Sequence, residues 1–360
     1  MKRLFAWVAA IILAAALALP CNAVSAESGI LMDAQTGRVI FEKNPDKQSL
    51  IASTTKIMTA LVVCEQINVL DRMRIPKEAV GIEGSSMYLK EGEILTIQDL
   101  LYGLMLHSGN DAAVALAIYC GGTVEGFAEL MNDKAHRLGM HNSHFVNPNG
   151  LDTPGHYSTA RDMAILAAYA MQNPIFAKIV STKTVRIGQR SLRNHNKLLW
   201  QLEGADGVKT GFTKAAGRIL VSSCTRQGRR LIAVTINDRN DWNDHRDLLE
   251  SGFANYTVRQ IVAEGDCLGT IPVISGERGA VELLAAADFS YSLAADEICQ
   301  IVLSKPDFVY APIVQAQHAG YAYVCIGDNP VGKVPIVFGQ TIEMESVKKP
   351  SLWERLFTRR

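Results

Sequence analysis

Neither sign of charge is in excess. In 360 residues, 36 Lys plus Arg stand against 36 Asp plus Glu, so the strongly basic profile of a nucleic-acid-coating protein is absent. Proline is sparse, at 12 residues, and glycine, at 28, is not enriched enough for a fibrous or low-complexity chain, while 48% of the chain is hydrophobic; this excludes fibrous and disordered classes and requires a packed core. Cysteine is scarce too. Beyond Cys21, the residues Cys64, Cys120, Cys224, Cys267, Cys299 and Cys325 lie far apart, with no C-x-x-C pair and no zinc-finger spacing. A chain long enough for two domains needs no disulfide framework, so most of them are expected to be small buried hydrophobes. Also missing are a Gly-x-Ser-x-Gly elbow, a His-Glu-x-x-His pair, a phosphate loop and a dinucleotide fingerprint. His141 and His144 lack a third ligand nearby, and no metal or other cofactor is expected.

Long apolar runs are confined to the beginning. Lys2 and Arg3 precede an uncharged stretch from Leu4 to Leu19, and Ala23-Val24-Ser25-Ala26 supplies the small residues that a signal peptidase reads. Residues 1–26 are therefore expected to be a signal peptide cleaved after Ala26, which makes the protein an exported one. The run is shorter than a spanning helix needs, and Cys21 follows Pro20 rather than a small residue, against a lipoprotein anchor.

Two textures follow. From about Ile51 to Met171 the pattern is helical: an apolar run Ile57–Val63, a capping box at Thr96-Ile97-Gln98-Asp99, and Thr159-Ala160-Arg161-Asp162 opening Met163–Met171. Hairpin signals bracket this block, Ser28–Phe41 around Asp33–Gly37, and Arg218–Cys224 with Arg229–Ile236 around Gln227-Gly228. Strands at both ends with helices between predict one α+β domain over residues 27–255, its terminal strands sharing a sheet. Short strands then recur at Thr270–Ile274, Gly279–Leu284, Gln300–Leu303, Gly320–Ile326 and Gly332–Val337, predicting a small β-rich domain over 256–347.

Chemistry concentrates at three places. Ser53 and Lys56 are three apart at the start of an apolar helical run, so they share a face and the amine can reach the hydroxyl. A serine needs an adjacent base, and a desolvated lysine can serve as one. The pair alone is weak, because Ser53 also reads as a helix N-cap and the spacing recurs at Ser346 and Lys349. Ser108-Gly109-Asn110 interrupts a helical stretch, as a plain helix-loop-helix turn also would. Lys209-Thr210-Gly211 leads into a strand, as an ordinary turn also would. Their order and spacing together are the informative feature.

This three-part set, with Tyr88–Glu93, Leu106–Ala113, Phe145–Asp152 and Gly204–Gly211 around it, resembles the low-molecular-mass penicillin-binding proteins, serine-type D-alanyl-D-alanine carboxypeptidases. The resemblance covers roughly residues 27–255 and implies a penicillin-binding/β-lactamase-like catalytic domain, a sheet with a helical cluster. It implies that Ser53 is the acyl-ester nucleophile, Lys56 its proton acceptor and Ser108 a proton relay to the leaving amine. Asn110 would bind the substrate peptide or position Lys56. Lys209 and Thr210 would hold the terminal carboxylate, and Gly211 would let substrate backbone approach the strand. The backbone N–H groups of Ser53 and Phe212 would form the oxyanion hole. Phe212 departs from relatives that carry histidine there, which puts any side-chain contact to the carboxylate in doubt. The implied partners are the peptidoglycan stem pentapeptide and β-lactam antibiotics as inhibitors. A β-lactamase is the alternative, but no glutamate-containing motif is evident between Asn110 and Lys209. A catalytically silent wall-binding scaffold is the alternative outside enzymes.

The last residues, 348–360, carry Lys348, Lys349, Arg355, Arg359 and Arg360 against Glu354, with Leu352, Trp353, Leu356 and Phe357 on one face of a short helix. The overall neutrality thus conceals an acidic body and a basic end; this end resembles a truncated form of the family's amphipathic membrane-surface helix, and the resemblance implies an exported protein at the cell wall or peripheral to the outer face of the cytoplasmic membrane. A disordered cationic tail fits the same composition. Weak partitioning into anionic vesicles is expected to fall on deletion of residues 348–360; equal liposome sedimentation of both forms would refute a membrane role.

Overall fold

A computed structural model describes residues 24–346, which divide into two units, one ending at Ala254 and one beginning at Asn255. The expected signal segment up to residue 23 and the basic tail 348–360 lie outside the described residues.

The first unit is built on an antiparallel sheet. Strands β1 (Ser28–Asp33) and β2 (Val39–Lys43) form the first hairpin; β3 (Arg72–Arg74) pairs with β4 (Ile94–Thr96), and β5 (Thr184–Ile187) with β6 (Arg190–Arg193), as small ribbons. Then β7 (Ala205–Thr213), β8 (Gly217–Arg226) and β9 (Arg229–Ile236) complete a five-stranded sheet in the order β2-β1-β9-β8-β7. The expectation that the terminal strands share a sheet holds: Ser28 to Asp33 on β1 pairs with Ile236 to Leu231 on β9. Period-two alternation sends side chains to two cores. Ile30, Met32, Ile219, Val221, Ile232 and Val234 face the helical cluster, whereas Leu31, Leu220, Leu231 and Ala233 face Leu248 and Leu249 of the helix Asp241–Asn255. The sheet is therefore covered on both sides.

At the centre of the cluster lies the helix Lys56–Gln66, whose residues from Lys56 to Val63 are all buried. This explains an apolar run without amphipathic spacing, since the helix is enclosed by its neighbours. The predicted capping box forms: Thr96 accepts from the Asp99 N–H while Asp99 reaches back to the Thr96 N–H, starting the helix Ile97–Leu106. Thr159 likewise caps Ala160–Ala170 through the Asp162 N–H. In the helix Asn110–Gly121, Ala112, Ala113, Ala115 and Ala117 are buried, and their small volumes suit close helix packing.

The second unit contains β10 (Tyr256–Val262), β11 (Cys267–Ile274), β12 (Ala280–Ala285), β13 (Phe289–Ala294), β14 (Cys299–Ser304), β15 (Val309–Tyr310), β16 (His318–Ile326) and β17 (Asn329–Phe338). Six of these form a sheet in the order β14-β16-β17-β12-β11-β15, and β10 pairs with β13. Its core includes Ile271, Leu283, Val324 and Ile336. The sequence pattern missed β10, β13 and β15. The six described cysteines are free thiols; Cys224 and Cys325 are buried, but Cys267 is exposed, against the general expectation for these residues.

Val24 and Ala26 are buried with Leu31, Leu198 and Leu249, and Ser25 donates its hydroxyl to Asp238 at 2.6 Å and its N–H to Asp244 at 2.5 Å. Cleavage after Ala26 would remove all three. Burial of a valine side chain stabilises by about 2 kcal/mol, so a chain starting at Val24 is expected to melt about 4–8 °C above one starting at Glu27, measured by calorimetry.

Candidate active site

The nucleophile candidate sits on a short 3₁₀ turn, Ala52–Thr55, that runs directly into the helix Lys56–Gln66. Ser53 does not cap this helix. Ala52 has φ +44°, and the turn lies against β7, the outer strand of the sheet. A Cβ on Gly211 would come within 3.1 Å of the Ile51 carbonyl oxygen and 3.3 Å of the Thr54 nitrogen. The missing side chain therefore also admits the serine-bearing turn, while Gly211 still lines the groove. Gly150 does the same from the other side, at φ +82° and with space that a Cβ would lose to the Ala52 carbonyl at 1.9 Å.

Lys56 is fully buried. Its Nζ lies 2.9 Å from Ser53 Oγ, 2.7 Å from Asn110 Oδ1 and 2.6 Å from the Asn149 carbonyl oxygen. Burial, and then the positive charge of Lys209, push its pKa well below the ordinary lysine value, with Asp111 opposing. A neutral amine has two N–H bonds and one lone pair. The two oxygens of Asn110 and Asn149 can only accept, so they take the two N–H bonds and leave the lone pair for the Ser53 hydroxyl proton. That arrangement can serve as a base directed at Ser53.

Each acceptor is fixed in turn. Asn110 also donates Nδ2 to the Glu83 carbonyl at 2.5 Å and its backbone N–H to the Ser85 carbonyl at 2.7 Å, so the structure uses it to position Lys56. Buried Asp111 accepts from the N–H groups of Met87 and Leu89, each at 3.1 Å, and from Ser86 Oγ at 2.6 Å, tying Tyr88's segment to the Ser108 turn. The Asn149 carbonyl is held by its loop: Thr59 Oγ1 donates to the Pro148 carbonyl at 2.6 Å, and the Gly150 N–H donates to Asn147 Oδ1 at 2.7 Å. Beneath the loop, His156 Nδ1 accepts from the Val146 N–H, so Nε2 carries the proton donated to Thr55 Oγ1 at 2.8 Å. Burial lowers this histidine to about 4, which keeps it neutral.

Ser108, at φ +62°, occupies the turn between two helices and lines a groove of about 340 Å³ with Ser53, Thr210, Gly211 and Phe212. Lys209 is buried, donates to the Thr210 carbonyl at 3.0 Å, and is lowered by burial to about 7. Phe212 is exposed. The structure thus gathers all of the sequence-predicted residues at the outer edge of β7.

It adds some that the sequence reading missed. Arg218 lies opposite Phe212 across the β7–β8 register and lines the same groove. Its Nη2 and Nε donate to the Asp241 carboxylate at 2.7 to 3.1 Å, and its guanidinium lies 5.9 Å from the Trp242 ring centre. The pairing Phe212–Arg218 follows from the hairpin turn, so it was legible in principle; Asp241 and Trp242 come from a helix much later in the chain.

The chain is similar to known proteins. Residues 14–240 match the family described as D-alanyl-D-alanine carboxypeptidase, and residues 256–344 match the penicillin-binding protein 5 C-terminal domain. The chain belongs to the D-alanyl-D-alanine carboxypeptidase family. It is 34% identical over 353 residues to the carboxypeptidase DacD of Escherichia coli, covering 92% of this chain and 89% of that one. It is 33% identical over 313 residues to DacF of Bacillus subtilis, covering 82% and 80%. Penicillin-binding protein 5 of Haemophilus influenzae has a TM-score of 0.79 and 30% identity, over 89% of this chain and 98% of that one. The two-part architecture expected from sequence, an α+β catalytic domain followed by a β-rich domain, is that of these neighbours.

The buried amines place function against stability. Lys56→Met is expected to slow penicillin acylation by at least about 100-fold while raising the melting temperature, measured by labelled-penicillin kinetics and calorimetry. Because burial lowers Lys209 to about 7 when folded, from an ordinary lysine value of 10.5, the unfolded chain holds the extra proton between those values, and this residue makes stability rise with pH. Lys209→Met should flatten that rise, read from denaturation at pH 7 and 9.

Proposed function

We infer that the protein is a serine D-alanyl-D-alanine carboxypeptidase that removes the terminal D-alanine from peptidoglycan pentapeptides and is acylated by penicillin. The observation carrying this reading is the buried amine of Lys56, 2.9 Å from Ser53 Oγ, with its other two contacts on obligate acceptors.

Ser53 Oγ attacks the carbonyl between the two D-alanines as its proton passes to Lys56. The oxyanion is held by the backbone N–H groups of Ser53 and Phe212. As the C–N bond breaks, Ser108 relays a proton to the departing amine, and water then hydrolyses the acyl-enzyme. Thr210 and Lys209 receive the terminal carboxylate, whose charge stabilises the ammonium form of Lys209. Arg218 is the better permanent charge, since a guanidinium stays protonated where a buried amine near 7 does not. Asp241 and Trp242 hold it in place, and its side chain remains 44% exposed.

The expected setting is the outer face of the cytoplasmic membrane or the cell wall, with residues 348–360 as a weak peripheral contact. Wild type should release D-alanine from a muramyl pentapeptide and Ser53→Ala should not; no release by wild type overturns the assignment, and rapid turnover of penicillin would favour a β-lactamase instead. Arg218→Gln is expected to lower the acylation rate by benzylpenicillin about tenfold but to leave the rate for its methyl ester within about twofold. Equal losses would remove Arg218 from carboxylate recognition.

A further inference from the structure

The residues just ahead of β1 are gripped by two carboxylates. Ser25 donates its hydroxyl to Asp238 Oδ1 at 2.6 Å and its N–H to Asp244 Oδ2 at 2.5 Å, while Val24 and Ala26 on either side of it are buried in the core under the sheet. Asp238 follows β9, and Asp244 lies in the first turn of the helix Asp241–Asn255. Asn240 ties the two together, giving its N–H to Asp238 at 3.0 Å and its Nδ2 to Asp244 at 2.8 Å. Both carboxylates are buried.

These donors leave two negative charges unbalanced. Among the described residues neither Asp238 nor Asp244 is in an ion pair: Arg218 is taken by Asp241, and Lys43 donates to the Val24 carbonyl at 2.9 Å. The second oxygen of Asp238, Oδ2, is buried without a hydrogen bond of ordinary length and angle. A buried carboxylate is costly unless a cation or a full set of donors meets it. The site is therefore short of one cation, at the place where the chain enters the fold.

Export can supply that cation. A signal peptidase needs small residues at the last and third-last positions before the cut, and both Cys21-Asn22-Ala23 and Val24-Ser25-Ala26 provide them. Cutting after Ala26 would discard the residues that fill the site and strip Asp238 and Asp244 of the Ser25 donors. Hydrolysis of the Ala23–Val24 amide by one water leaves a carboxylate on the released segment and an ammonium group on Val24, one residue from Ser25.

We propose that the mature protein begins at Val24 and that Asp238 and Asp244 form an anionic socket for its new α-ammonium group. The expected cut thereby moves from after Ala26 to after Ala23. An uncut chain has a neutral amide at Val24, so the socket is neutralised only after processing. The same helix carries Asp241, the partner of Arg218 in the groove, so the socket braces the element that holds that guanidinium.

N-terminal sequencing of the full-length chain after export by a secreting bacterial host reads the cut. Val-Ser-Ala-Glu-Ser is the expected start; Glu-Ser-Gly-Ile, or any other start, overturns the proposed processing. Calorimetry reads the socket on two purified forms, one starting at Val24 and one with a single glycine added ahead of it, which displaces the ammonium group. The form starting at Val24 is expected to melt about 2–4 °C higher, and the difference should vanish in Asp238→Asn, with Asp244→Asn as the second variant if the first does not fold. Equal melting of the two forms, or a difference that persists in the variant, overturns the socket.

Discussion

The site depends on taking one amine out of water. Lys56 is fully buried with Lys209, also buried, as a positive neighbour, an environment that penalises its charged form. Leaving such an amine without partners would cost several kcal/mol. The fold supplies partners from two distant segments, the Asn110 side chain and the Asn149 carbonyl, and both are oxygens that can only accept. The consequence is chemical rather than merely structural: satisfying the acceptors fixes the orientation of the remaining lone pair, and Ser53 stands at its end. One requirement, that no buried polar group be left unmade, thereby orients the base.

Close backbone approach is the second constraint. The serine turn is clamped between Gly211 on β7 and Gly150 in the Asn149 loop, where a Cβ on either glycine would crowd backbone atoms. These glycines do not bend the chain for flexibility. They let three separate pieces of backbone meet, so the nucleophile rests on packed structure rather than on a free loop. Asp111 and His156 extend the same support outward, the first by gathering N–H groups from residues 87 and 89, the second by holding Thr55 beside the nucleophile.

Charge around the groove is graded. Buried Lys209 is easily neutralised, whereas Arg218 stays cationic, paired with Asp241 but still open to the groove. Farther out, Arg193 and Lys197 line a wider cavity free of carboxylates. A carboxylate entering the groove would thus meet a permanent cation at the rim and a titratable one inside. Its charge would raise the proton affinity of Lys209.

Much of this was legible from local patterns. The Thr96 capping box, the Thr159 cap and the β1–β2 and β8–β9 hairpins follow from short-range spacing, because caps and turns are set within a few residues, whereas Ser53, Lys56, Ser108 and Lys209 stood out by their order along the chain and by the family resemblance. Strands β10, β13 and β15 escaped notice because their pairing is long-range and their polarity irregular. So did the Asn149 carbonyl, since a backbone oxygen has no side-chain signature. The packing of Gly211 against the serine turn also had no signal in the sequence. The sequence by itself determined which reactive groups are present and their order along the chain. Only the tertiary structure decided that Lys56 is dry, that its lone pair faces Ser53, and that Arg218, Asp241 and Trp242 share one groove, because burial and orientation arise from segments brought together from separate parts of the chain.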